Sequence, residues 1–318
     1  MTDVMYEYSP ANDRYAYSPI IDRPVIRWPN GARVAFWLAP NVEYMEYVPQ
    51  ERWRDEAFTK RPIPAPNMQS YRSLDYGNRI AFWRMLDVID KHDIRCTASL
   101  NEAVLDHFPE IRDAMVARNW DYMSHGIYNN RLLTGMTNEE EREFYRDIIE
   151  TLQKHTGKRL KGMLGPAISA TLDTPDLMAE AGLIYHTDFV QDDQPFPLKV
   201  KSGRLISLPY TLEVNDSACV ADWGNDAKYF AQICKDQFDV LYEQGAESGR
   251  VMCIALHPYW IGAPHRVKYL DEILTYILSH DGVWKTTADD IADYYLANYY
   301  DKVLQYLEKR KAELNPGR

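Results

Sequence analysis

Apolar residues recur along the chain in short, nearly continuous runs separated by longer amphipathic stretches. Arg33-Val-Ala-Phe-Trp-Leu-Ala39, Ile94–Leu100, the run ending at His125, Leu160–Leu164, Ile184–Asp188, Leu205–Leu208 and Val251–Leu256 each read as a strand. Strict alternation is missing from them, as in parallel strands buried on both faces. The intervening stretches carry helical signals. Ile80, Trp83, Met85, Leu86 and Ile89 form a stripe on a helix that runs from about Arg79 to His92. Helical residues follow Leu100 as far as Asn119, with a break at Pro109. Thr137-Asn-Glu-Glu140 is a capping box that opens a helix to about His155. Thr174-Pro175 supplies an N-cap and an N1 proline for the next helix. Further helices are predicted over 225–244, 267–278, 288–298 and 302–312.

Short strands alternating with helices define α/β with a parallel sheet. With seven or eight such units, a closed or nearly closed barrel is favoured over an open doubly wound sheet. No Gly-x-Gly-x-x-Gly follows the first strand and no P-loop is present, which removes the main reason to expect a dinucleotide or nucleotide fold. Residues 1–30, rich in Tyr, Pro, Asp and Arg, read as an N-terminal arm docked on the surface, at a subunit contact. Residues 31–300 read as a single (β/α) barrel domain and 301–318 as a C-terminal helix. The stretch from Pro40 to Tyr76, interrupted by four prolines, reads as an irregular lid or binding loop.

Composition narrows the function classes. Hydrophobic residues make up 46% of the 318 and charged residues 26%, an ordinary globular balance. The net charge of −11 argues against nucleic acid or an anionic membrane as partner. No signal peptide or membrane-length apolar window is seen, and the four cysteines (Cys96, Cys219, Cys234, Cys253) form no Cys-x-x-Cys pair. A reduced, cytoplasmic setting is the expectation.

In a parallel barrel, functional side chains lie just past the C-terminal ends of the strands. Those positions hold Asn41 and Glu43, Asn101, His125 with Asn129, Gly165-Pro166, Asp188 with Asp192 and Asp193, then Glu213, Asn215 and Asp216, and finally His257. Asp193, Asn215 and Asp216 read as cap or turn residues. The set supplies a carboxylate, Glu43, able to take a proton from attacking water, and an imidazole, His257, able to protonate a leaving nitrogen. His125 is placed to orient the carbonyl, stabilise an oxyanion or bind a metal. No Gly-x-Ser-x-Gly elbow exists, and no cysteine stands at a strand end beside a predicted histidine, so water attack is favoured over a covalent nucleophile.

Asn41-Val-Glu43, Asp75-Tyr-Gly-Asn-Arg79, Ser124-His-Gly126, Asp192-Asp-Gln-Pro195, Leu208 to Asp216, and Leu256-His-Pro258 with Ile261-Gly262 together resemble the polysaccharide deacetylase (NodB homology) superfamily. Within it, the chain is most similar to the branch of PuuE-type allantoinases and cyclic-imide hydrolases. The resemblance spans roughly residues 20 to 295. It implies a distorted (β/α) barrel of about seven parallel strands, hydrolysis of a carbon–nitrogen bond other than a peptide bond, and a homo-oligomer, dimer or tetramer; the arm and loop over the rim favour a closed pocket and so a small-molecule substrate, an amide, imide or ureide. The substrate-binding residues it implies are Asn41, Tyr44, Arg79, Tyr128, Asn129, Asp192 and Tyr259. Two departures bear on metal. Where sugar deacetylases carry Thr-Phe-Asp-Asp, this chain has Asn41-Val42-Glu43-Tyr44, and where they carry His-x-x-x-His it has His125 followed by Asn129. Only one of the usual three ligands survives, whereas zinc normally takes at least three Cys, His or carboxylate ligands. No cofactor is therefore expected; a rebuilt zinc or other divalent site on His125 and Glu43 is the alternative. The arginine that usually precedes the third-motif proline is also missing, leaving Arg79 or Arg131 to replace it. The competing functions are a metal-dependent N-acetyl-sugar deacetylase and a catalytically inactive ligand-binding barrel.

Overall fold

The computed structural model describes residues 13–53 and 63–314. Among these residues nine strands form one sheet: β1 Val34–Val42, β2 Thr97–Leu100, β3 Asp121–Ser124, β4 Gly162–Met163, β5 Tyr185–His186, β6 Phe196–Leu198, β7 Leu205–Ser207, β8 Arg250–Leu256 and β9 Val283–Lys285. Their order is β6-β7-β5-β4-β3-β2-β1-β8, with β9 on the early part of β1. The seven strands expected from sequence are β1 to β5, β7 and β8, all parallel. The antiparallel β6, which contains a proline, and the short, half-buried β9 are additions. The sheet curls into a distorted barrel. The chain beyond β7 reaches across the remaining gap, where Asn215 bridges Ala255 of β8.

Every residue of β1 is buried, and alternation sorts its side chains between two cores. Ala35, Trp37 and Ala39 pack inside the barrel with Met123, Tyr185, Val251, Cys253 and Ala255. Val34, Phe36, Leu38 and Val42 face outward, in one core with apolar residues of the surrounding helices. Those helices are α1 Met68–Tyr76, α2 Phe82–Lys91, α3 Ala103–His107, α4 Pro109–Ala117, α5 Asn138–Thr156, α6 Thr174–Glu180, α7 Ala227–Gln244, α8 Pro258–Ile261, α9 Val267–Leu278, α10 Ala288–Asn298 and α11 Tyr300–Leu314. A π-helical turn, Gly77–Ala81, joins α1 to α2. Among the described residues no helix is long and apolar enough to cross a membrane. All four cysteines are free and buried.

Two local expectations change and one holds. The stretch from Pro40 to Tyr76 is not irregular throughout, because α1 occupies its last nine residues with Asn67 as N-cap; residues 54–62 lie outside the described part. The capping box at Thr137 and Glu140 forms as read. Thr174, however, is the first residue of α6 and not its cap, because its hydroxyl is committed to the buried carboxylate Glu141.

Parallel register fixes the rim. Val42 pairs with Leu100 and Leu100 with Ser124, so Glu43, Asn101 and His125 each stand one residue further along the same edge. Pro40 pairs with Leu256, which sets His257 level with Asn41.

Candidate active site

Glu43 continues the inward-facing series of β1, His125 that of β3 and His257 that of β8. The three meet over the barrel's interior. Glu43 Oε1 lies 3.5 Å from His125 Nε2 and 3.5 Å from His257 Nε2. All three side chains are more than nine-tenths buried. The other carboxylate oxygen, Oε2, accepts a 2.7 Å hydrogen bond from the Tyr259 hydroxyl. Asn78, in the π-helical turn, donates to the Glu43 main-chain carbonyl at 2.9 Å and fixes the backbone from which the acid projects.

Each imidazole is held from behind. The Leu164 carbonyl, at the end of β4, accepts from His125 Nδ1 at 2.9 Å, so Nε2 is the nitrogen turned toward Glu43. Gly126 then turns the chain away at φ 76°, a left-handed conformation beside Pro166 that suits glycine. His257 Nδ1 pairs with Asp216 Oδ1 at 2.7 Å. Asp216 also accepts from the main-chain N–H groups of His257 at 2.9 Å and Ile261 at 3.0 Å, capping the first turn of α8.

The charges follow from this packing. Burial disfavours the charged form of every member. For His257 the two carboxylates outweigh burial and push the imidazole up to about 10. For Glu43 burial alone would raise the carboxyl, but His257 and His125 hold it far below the usual carboxylate range. Burial and the adjacent Glu43 keep the Tyr259 hydroxyl protonated, so it acts as a donor. At neutral pH the cluster is thus a carboxylate facing an imidazolium that is anchored by a second carboxylate.

The remaining expected residues divide. Tyr259 binds Glu43 itself, in place of the expected substrate contact. Asn41 is committed below the rim, donating to the Tyr210 hydroxyl at 3.1 Å and the Ala39 carbonyl at 3.2 Å. Tyr44 and Tyr128 belong to an aromatic group with Tyr71, His107 and Phe108. Arg79 is on the surface, 69% exposed and paired with Asp75, and Arg131 is paired with Glu46. Neither supplies a cation to the cluster. Asp192 is bound to Arg23 of the arm at 2.7 Å. The following residues are pinned to the opposite end of β8, where Asp193 accepts from Val251 N and Gln194 reaches the Gly249 carbonyl. At about 3.3 Å per residue, that is roughly 20 Å of strand away from His257. Asn129 fits its expected role better: it is buried, and its Oδ1 has no hydrogen-bond partner.

Asp216 is the functional residue that sequence reading passes over, since a carboxylate beside Asn215 looks like a turn. The available signal is chemical: an imidazole meant to stay charged at neutral pH needs an acidic partner. Asn78 and Tyr210 carry no such signal and emerge only from the packing.

The residues present do not match a zinc centre of the sugar-deacetylase kind. The Tyr44 hydroxyl is pushed up by burial and its tyrosine neighbours, so it stays neutral, and Asn129 offers a neutral amide. Among the described residues no group of three or more His, Cys, Asp or Glu side chains is arranged to hold an ion.

Comparison with known proteins agrees with this geometry. Residues 66–186 match the polysaccharide deacetylase family. A Schizosaccharomyces pombe protein provisionally named a polysaccharide deacetylase is 29% identical over 302 residues, covering 86% of this chain and 93% of its own. Among solved structures, the PuuE allantoinase is similar with a TM-score of 0.79 and 29% identity, covering 92% of this chain and 99% of that one. A Pseudomonas aeruginosa PAO1 protein, provisionally named a polysaccharide deacetylase, follows at TM-score 0.75 and 28% identity over 87% and 95% of the two chains. With its motifs at the rim of the matching distorted barrel, the chain carries over residues 66–186 a segment that matches the polysaccharide deacetylase family, and over most of its length it is similar to these relatives.

Proposed function

We propose that the protein hydrolyses a carbon–nitrogen bond other than a peptide bond in a small amide, cyclic imide or ureide, by direct attack of water and without a catalytic metal. The observation that carries this reading is the position of Glu43 Oε1, equidistant at 3.5 Å from the two Nε2 atoms. A carboxylate, an imidazolium and a second imidazole all face one point. The polysaccharide deacetylase match over residues 66–186 and the similarity to an allantoinase support the reaction class.

Glu43 takes a proton from water as the water oxygen bonds to the substrate carbonyl carbon. His257 gives its Nε2 proton to the nitrogen as the carbon–nitrogen bond breaks. A carboxylate held so low is a weak base on its own, but the pull on it comes from the imidazolium charge. As His257 releases its proton that pull disappears, so the acid's action strengthens the base. His125 donates its Nδ1–H to the Leu164 carbonyl, so it orients the substrate carbonyl and stabilises its developing negative charge as the doubly protonated ring, donating from Nε2. The metal-free reading rests on the donor set, in which Tyr44 and Asn129 stand where the related sugar deacetylases have ligands.

The test is a panel of hydantoins, imides, ureides and N-acetyl sugars, assayed with and without chelator. Turnover of a cyclic or linear amide that survives chelation is the expected result. Turnover confined to N-acetyl sugars and abolished by chelator would replace this proposal with a metal-dependent deacetylase. No turnover of any of them, with unchanged ligand affinity in Glu43→Gln, would point to a binding barrel.

A further inference from the structure

Glu102 follows the rim residue Asn101 but belongs to the opposite face of its strand. It shares the outward-facing series of Ala98 and Leu100, beneath α5, and is 98% buried by its 2% exposure. Neither carboxylate oxygen has an aligned hydrogen-bond partner. Burial drives the carboxyl well above its ordinary range, and Ser124 beside it offsets this only in part. An unpartnered buried acid is costly and calls for an explanation outside the chain itself.

A cavity of about 360 Å³ opens from Glu102 to the surface, and its wall includes Asp106, Tyr128, Arg131, Asp147 and Glu150. Among the described residues, the one arginine on this wall, and a histidine next to Asp106, are already engaged. Arg131 pairs with Glu46 at 2.6 Å, and His155 faces Asp106 at 2.9 Å. His107, also on the wall, shares a 3.3 Å contact with the Tyr128 hydroxyl. Asp147 and Glu150, exposed on successive turns of α5, form the acidic mouth. The carboxylates are spread along the cavity and do not converge on one point, and among the described residues no group of this kind is disposed around a metal ion. Spread negative charge over a space of this volume suits an elongated organic cation better than a compact inorganic one. We infer that this outer-face cavity, floored by Glu102, is a binding site for a linear organic ammonium ion, separate from the rim cluster inside the barrel.

The probe is putrescine, titrated calorimetrically into the full chain near pH 7 in two buffers of different ionisation enthalpy. Saturable binding to one site is expected, with a proton released as the ammonium group converts Glu102 to carboxylate. Glu102→Gln should weaken binding by at least about tenfold and abolish the proton release. Asp106, His107, Tyr128, Arg131, Asp147 and Glu150 face the same space and His155 touches Asp106 behind it, so loss of the proton in Glu102→Gln is what assigns it to Glu102. Thermal unfolding checks the fold of that variant. If it does not fold, the exposed double variant Asp147→Asn/Glu150→Gln decides, with a severalfold loss expected. Binding of 1,4-butanediol as tight as putrescine, displacement by equimolar Mg²⁺, or unchanged binding in the variants would overturn the inference.

Discussion

Glu43 and Glu102 stand at the ends of adjacent strands and are buried to nearly the same extent, 5% and 2% exposed, yet their electrostatics are opposite. Glu43 faces the barrel interior, between two imidazoles and a tyrosine hydroxyl, and is held ionised. Glu102 faces outward, has no cation beside it, and is pushed toward the neutral acid. Burial is common to both, so it cannot be what decides their charge. The decision lies with what each strand's alternation places opposite the carboxyl.

Four substitutions sharpen or break this comparison, from the largest expected effect to the smallest. Glu43→Gln should lower turnover about 10²–10⁴-fold with the fold retained, as measured by steady-state kinetics and circular dichroism. An equal loss in Glu102→Gln would erase the distinction between the two faces. Asp216→Asn comes next. Activity that needs protonated His257 should decline as pH rises through about 10, and removing the Asp216 carboxylate should move that decline to lower pH along with reduced turnover. Because the folded-state value of His257 lies above its ordinary 6.5, its contribution to stability is complete below that value and is lost as pH climbs toward 10. Urea unfolding across that window should show a shallower slope in Asp216→Asn.

Asp289 offers a third buried carboxyl, one with Lys161 only at 3.8 Å to offset its burial. Burial and the neighbouring Asp121 raise it to about 7, with the Tyr185 hydroxyl bonded to Oδ1 at 2.8 Å. A carboxyl raised in the fold binds more protons folded than unfolded, so stability falls as pH rises from about 4 through 7. Asp289→Asn should therefore add roughly 1–3 kcal/mol at pH 8 and almost nothing at pH 4, read from urea midpoints. Glu102→Gln should change stability at pH 7 by less than about 1 kcal/mol, since it replaces a neutral acid with a neutral amide of the same shape.

What the sequence discloses here follows from how local each signal is. Buried parallel strands write themselves as apolar runs, so the barrel and the rim positions of Glu43, His125 and His257 can be read directly. Pro197 disguises strand β6, and β9 is not buried and ends in Lys285, so neither shows as an apolar run. Substrate contacts are less legible because they depend on where a side chain finds its nearest partner. Asp192 looks like a rim residue by position but is captured by Arg23, more than 160 residues earlier in the chain. Arg79 lies beside Asn78, yet successive helical residues point about 100° apart, so Asn78 reaches Glu43 while Arg79 pairs with Asp75 on the surface.

One carboxylate, Asp216, fastens three things together: the imidazole of His257, that residue's own amide, and the amide of Ile261. The proton donor therefore cannot outlive the turn that carries it. If that turn frays, hydrogen exchange at positions 257 and 261 and loss of the charged imidazole become a single event. Heat inactivation would then begin as a local melting of one helical turn, well before the barrel gives way.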